Sequence, residues 1–244
     1  MTSEALSVEK VEGRGIPIVF VHGWLGSKES WKQVREELDI EKPLVFYDQR
    51  CHGESPCSEF RMEDLADDLG KVVGGLDEKP VIVGHSMGGM AALRYATNND
   101  DYQGLVLFGT CASTPRPKYR SPKFFLEKLG ELAREKWAEK IADNYAEDSP
   151  EVREGAVKEL KNAGREPIIH GLKAMIDYDV RDELGKENAV VVAGEKDSAI
   201  TVEQCREVSD ILGCELKTLD SSHLMLQETP AEVAEEIEAF AENQ

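Results

Sequence analysis

The sequence predicts an α/β fold: a mostly parallel central sheet with helices on both faces, interrupted by a helical insertion. Three observations predict it. Short β-branched apolar runs recur along the chain, as strands buried on both faces require. Between them lie stretches with apolar residues three and four apart, the spacing of helices that cover a sheet. The alternation stops near residue 115 and resumes near residue 188, with only helical patterns in between.

In chain order, residues 16–22 are the first buried strand, and a glycine-containing loop leads to a helix over 30–38. Residues 43–47 are the next strand and 48–58 a loop. Apolar positions 62, 65, 66, 69, 72, 73 and 76 form one helical face, with Glu63, Asp64, Asp67 and Asp68 expected on the wet side. Residues 80–83 are a strand, 86–99 a helix and 105–108 a strand. In the insertion Leu129, Ala133, Trp137, Ile141 and Tyr145 make one stripe, and Ile168, Ile169, Leu172, Met175 and Ile176 a second. The sheet resumes at 189–193, followed by a helix over 201–212 and a last strand over 214–219. Thr229 and Pro230 cap a closing helix whose inner face carries Val233, Ile237 and Phe240. The expected division is a core domain of residues 1–114 and 188–244 with an inserted domain of 115–187.

The 244 residues carry 48 Asp plus Glu against 29 Lys plus Arg, a formal charge of −19. That balance excludes a basic nucleic-acid surface and disfavours an anionic membrane. An acid excess can mark adaptation to high salt, but the chain retains 17 Lys, so ordinary solubility is the preferred reading. No apolar segment is long enough to span a membrane and no secretory leader is visible, so a cytoplasmic protein is expected. Five cysteines without metal-ligand spacing predict reduced thiols, with a Cys51–Cys57 bridge as the alternative. Neither a metal nor an organic cofactor is implied.

The sharpest motif is Gly84-His85-Ser86-Met87-Gly88, followed by Gly89. It joins a strand to a helix, the context in which G-x-S-x-G exposes a nucleophilic serine. Glycines are needed there because the backbones nearly touch, and the helix N-terminus favours a developing anion. Serine needs a base. Among the five histidines, His223 follows the last strand, at the sheet end where ligands gather, and comes after Ser86 in the order Ser, acid, His. His170 reads as a packing or surface residue of the insertion. Asp197 is the expected acid, two residues beyond Glu195, which is the runner-up, and Asp220 reads as a turn carboxylate. Oxyanion donors are expected at the backbone N–H groups of Met87 and Trp24. His22, Gly23, Leu25, His85 and Met90 are candidates for the substrate pocket.

Taken together, these segments resemble the α/β-hydrolase superfamily over nearly the whole chain. Residues 21–24 are similar to its His-Gly-x oxyanion loop, residues 47–55 to its Asp-x-Arg-Gly-His-Gly-x-Ser stretch, and residues 194–197 and 223 to its acid and base segments. Cys51 stands where the family usually has glycine. The resemblance implies a cap over the active site at 115–187. It also implies a serine carboxylesterase acting on a small-molecule ester of short-to-medium or aromatic character, as a monomer or small homo-oligomer. A carbon–carbon bond or thioester hydrolase of the same fold, or a non-catalytic small-molecule receptor, are the alternatives. Perhydrolysis could accompany esterase activity. The family's menaquinone-pathway lyase usually has arginine where Met90 stands, and its proline iminopeptidases have Trp where Met87 stands, so neither is preferred.

Overall fold

A computed structural model describes residues 5–114, 165–176 and 178–244, with isolated positions 139, 154, 157 and 158. The first insertion stripe, Leu129 to Tyr145, lies outside the described residues, as does most of the expected domain of 115–187.

Seven strands form one sheet: β1 (Val8–Val11), β2 (Ile18–Val21), β3 (Leu44–Tyr47), β4 (Val81–His85), β5 (Gly104–Phe108), β6 (Ala189–Gly194) and β7 (Glu215–Leu219). Their order is β1-β3-β2-β4-β5-β6-β7. All neighbours run parallel except β1, which pairs antiparallel with β3, Val8 opposite Tyr47. The sequence reading did not include β1. Its Val-Glu-Lys-Val pattern is half-exposed, unlike the fully buried runs of β2 to β5.

Because side chains alternate across a strand, the sheet feeds two cores. On one face Val19, Val21, Ile82 and Leu105 pack with Leu65 and Leu69 of α2 (Met62–Val73), Ala91 of α3 (Met87–Ala96) and Val208 of α5 (Val202–Leu212). On the other, Ile18, Phe20, Val83 and Val106 meet Val34 of α1 (Lys32–Glu37), Met225 of α6 (Met225–Glu228) and Ile237 of α7 (Pro230–Ala241). The remaining described helix, α4 (Arg165–Met175), carries the second insertion stripe. Its Ile168, Ile169, Leu172 and Met175 are half-buried.

Several local expectations need correction. The helix expected over 30–38 is a 3₁₀ turn, Lys28–Trp31, running into the short α1. Thr229 does not cap α7 with its side chain; its hydroxyl donates back to the Met225 carbonyl at 3.2 Å. Asp68 is buried rather than wet, because the Arg50 guanidinium reaches it from the 48–60 loop through Nε–Oδ2 (2.5 Å) and Nη2–Oδ1 (2.8 Å). Such a two-point charged pair offsets the cost of burying the carboxylate. Finally, Cys51 and Cys57 form a disulfide with their Cα atoms 3.8 Å apart, while Cys111, Cys205 and Cys214 are free. The chain doubles back because Cys51 takes the left-handed conformation (φ 65°), where glycine is at home, and its N–H donates to the Pro56 carbonyl at 3.0 Å. Among the described residues no helix is long and apolar enough to cross a membrane.

Candidate active site

From β2 the chain moves out to β3 on one side and then crosses to β4 on the other, so the loops after β2 and β4 face each other across a switch in strand order. Ser86 occupies the turn from β4 to α3 with φ 53° and ψ −121°. A non-glycine residue in that region costs on the order of 1–3 kcal/mol, and the surroundings hold it there. Its N–H donates to the Phe108 carbonyl at 2.9 Å, and its own carbonyl accepts from the Thr110 hydroxyl at 2.9 Å. The glycines serve as the sequence implied. A Cβ on Gly88 would collide with the Val21 carbonyl, and one on Gly84 would come within 2.7 Å of the Gly89 Cα.

His223 follows β7 and places Nε2 2.9 Å from Ser86 Oγ and Nδ1 2.7 Å from Asp197 Oδ2. Asp197 follows β6, and its Oδ1 accepts from the N–H groups of Ala199 (2.8 Å) and Ile200 (2.9 Å). Burial alone would push the Asp197 carboxyl up. The hydrogen bond and charge of His223, with the two backbone donors, outweigh it and hold the group below the usual carboxylate range. The runner-up Glu195 instead accepts from the Thr218 hydroxyl at 2.8 Å, and Asp220 pairs with Lys196 at 3.0 Å on the surface.

Met87 is the first residue of α3, so its N–H has no acceptor within the helix. Opposite it, residues 23–26 form a turn closed by Gly26 N–H to the Gly23 carbonyl (3.1 Å), with Leu25 left-handed at φ 64°. Gly23 lies against the serine: a Cβ there would sit 3.2 Å from Ser86 Cβ and 3.0 Å from His85 Nδ1. The Trp24 indole N–H donates to the Pro167 carbonyl at 3.0 Å, which joins the loop after β2 to α4.

Three other histidines, His85, His22 and His52, are buried near this hydrogen-bond chain. His85 is buried and donates from Nε2 to the His223 carbonyl at 3.0 Å. Burial pulls its pKa down to about 3, so it stays a neutral donor. His22 accepts the Gln49 N–H on Nε2 (3.0 Å) and therefore donates from Nδ1 to the Gly23 carbonyl (2.8 Å). Its pKa is lowered by the same burial, as is that of His52, to about 3. Met90 lies within α3 with its side chain buried, and its carbonyl accepts from the Tyr178 hydroxyl at 3.1 Å.

Sequence reasoning assigned no role to the residues that brace these loops. Asp48 accepts from the Lys28 N–H (2.7 Å), the Lys28 ammonium (3.0 Å) and the Glu54 N–H (2.9 Å). A Cβ on the left-handed Gly53 would strike the Asp48 carboxylate, which explains the glycine after His52. Glu228 accepts from both the N–H (2.7 Å) and hydroxyl (2.8 Å) of Ser222, next to His223. The carboxylates at 48 and 228 were visible in the sequence, but the turns that close them onto their donors were not.

Comparison with known proteins adds three findings. The model of a family described as "Alpha/beta hydrolase family" matches residues 18–236. The AB hydrolase superfamily protein YisY of Bacillus subtilis is 30% identical over 220 residues, covering 83% of this chain and 82% of that one, and a pimeloyl-[acyl-carrier protein] methyl ester esterase of Vibrio atlanticus is 25% identical, covering 71% and 72%. Among solved structures, a thermophilic esterase from Thermogutta terrifontis superposes with a TM-score of 0.84 at 27% identity, covering 98% of this chain and 93% of that one.

Proposed function

Because the chain belongs to the alpha/beta hydrolase family, we propose that it cleaves carboxylic esters of short-to-medium or aromatic character, with Ser86 as nucleophile, His223 as general base and Asp197 as the acid that orients it. The observation that carries this reading is the unbroken chain of hydrogen bonds, 2.9 Å from Ser86 Oγ to His223 Nε2 and 2.7 Å from His223 Nδ1 to Asp197. The esterases among its relatives support an ester over a carbon–carbon bond.

The steps follow from the tautomer. Asp197 accepts from Nδ1–H, so Nε2 is the free lone pair that receives the Ser86 proton as Oγ attacks the ester carbonyl. The carbonyl oxygen gathers charge and moves toward the N–H groups of Met87 and Trp24. Each such donor contributes about 3–4 kcal/mol to the transition state. His223 returns its proton to the departing alcohol. Water, activated by the same imidazole, then releases the acid from the acyl-enzyme. The insertion, 115–187, serves as the cap. The bond from the Trp24 indole to Pro167 supports that role, because it ties α4 to the oxyanion loop.

A panel of p-nitrophenyl esters of rising acyl length tests the proposal. Turnover is expected to peak below about twelve carbons and to disappear in Ser86→Ala. Unchanged turnover in Ser86→Ala would overturn the nucleophile assignment, and a peak at longer chains would overturn the substrate class.

A further inference from the structure

We propose that Cys51, Cys57 and His170 form a redox-gated site for a soft divalent cation of the zinc class. The site is closed as a disulfide and opened by a dithiol reductant. It stands apart from the Ser86 chemistry and does not depend on it.

Three observations converge here. The two sulfurs and a ring nitrogen of His170 all lie within 4.8 Å of one another. Ligand atoms around a tetrahedral zinc are about 3.5–3.8 Å apart, so three groups gathered this closely need only small side-chain rotations to share an ion. His170 Nδ1 is buried with no hydrogen-bond partner among the described residues, although a buried polar nitrogen normally has one. Cys51 holds a left-handed backbone position at a residue that is not glycine, a cost that persists where something else is gained.

The sequence hid the cluster because its third member is more than one hundred residues away. α4 is set against the 48–60 loop by the Lys173 ammonium on Glu59 (2.8 Å) and by packing of the His170 ring against Phe60, with centroids 5.9 Å apart. Neither contact involves the disulfide, and together they hold the imidazole beside the cysteines. Cys51 is buried, but Cys57 is exposed, so a reductant can reach the bond from solvent. Exposed disulfides are the ones that exchange most readily.

The exchange balances as follows. A reductant thiolate attacks one sulfur, forming a mixed disulfide and releasing the other cysteine as thiolate. The second reductant thiol then displaces the remaining cysteine, and the reductant leaves as its own cyclic disulfide. Two electrons and two protons have passed to the cysteine pair. The cation displaces both thiol protons and binds two thiolates and the neutral imidazole, leaving its fourth position to water. Attack of one of these thiolates on an oxidant's disulfide reverses the sequence: a mixed disulfide forms, the second cysteine thiolate displaces the oxidant's remaining sulfur as thiolate, and closure of the Cys51–Cys57 bond expels the ion.

Cobalt(II) is the probe, added to the intact chain after reduction and removal of the reductant without air. One Co²⁺ per chain with a thiolate-to-cobalt charge-transfer band is expected, absent from the oxidised protein and from Cys57→Ser, and bleached by Zn²⁺. His170→Ala should bind at least tenfold more weakly. A reduced wild type without the band, a band that survives Cys57→Ser, or unchanged affinity in His170→Ala would overturn the site. Cys57 is exposed, so that variant keeps the fold if Cys51→Ser does not. Alkylation in denaturant after reoxidation of the reduced chain in air should modify three cysteines, and five would overturn the gating.

Discussion

Replacing Asp197 with asparagine tests the proton bookkeeping of the site. One carboxylate oxygen, Oδ1, accepts two backbone N–H groups, and the other accepts from His223 Nδ1. The asparagine has one acceptor oxygen and one donor NH₂. If its oxygen stays on Ala199 and Ile200, the NH₂ faces His223 and forces Nδ1 to be the acceptor, so Nε2 carries the proton and cannot take one from Ser86. If the amide flips to keep Nδ1–H, both backbone donors lose their acceptor, at about 1–3 kcal/mol each. The unproductive arrangement is therefore favoured by about 2–6 kcal/mol, which at about 1.4 kcal/mol per decade lowers kcat between about 30-fold and about 10⁴-fold. KM should move little, since Asp197 touches no substrate. Initial rates on a p-nitrophenyl ester that saturates the wild type measure both constants, with thermal melting as the check on folding. A folded Asp197→Asn protein that keeps more than a third of wild-type kcat would refute the tautomer argument and the role of Asp197 with it.

Glu195→Gln should leave kcat within about twofold of wild type in the same assay, because its carboxylate bonds Thr218 and faces away from His223. Gly88→Ala drives a methyl group into the Val21 carbonyl and should cost at least about 3 kcal/mol in urea unfolding, or prevent folding, as overpacking against backbone does. His52 and His85 are held neutral with pKa values near 3, below the unfolded value of 6.5. A lowered histidine pKa gives stability that is complete above pH 6.5 and lost as the pH falls toward 3, at about 1.4 kcal/mol per unit for each group. The chain should accordingly melt several degrees lower at pH 5 than at pH 7, and a flat profile over that interval would contradict the buried neutral imidazoles.

Strands β2 to β5 were legible because each is an unbroken apolar run that the fold buries on both faces. The turn after β4 was legible because Gly84 and Gly88 stand where the backbones of β4, α3 and β2 meet. The edge strand β1 was not, since two valines separated by Glu9 and Lys10 carry little pattern, and α6 is a single turn, too short to show a period. Asp68 looked wet because its partner, Arg50, comes from another loop. The Cys51–Cys57 bridge depends on a left-handed turn at a residue whose side chain gives no hint of it. His223 and Asp197 could be ranked by chain order, but the choice between Asp197 and Glu195 rested on which way each carboxylate turns after β6, and that is set by the N–H groups of Ala199 and Ile200.

Ser86 and His223 are 137 residues apart in sequence and meet only because β6 and β7 dock on the far side of β5. At a synthesis rate of about 5–20 residues per second, roughly 7–27 s separate the appearance of the serine from that of its histidine. During that interval the β2–β5 portion of the sheet can form, with the turn at Ser86 already cramped, yet the hydroxyl has no proton acceptor. Under the proposed Ser86–His223 pairing, a nascent chain is chemically silent until its final strands and α7 have emerged, and a product truncated before β7 would be inert rather than an unregulated hydrolase.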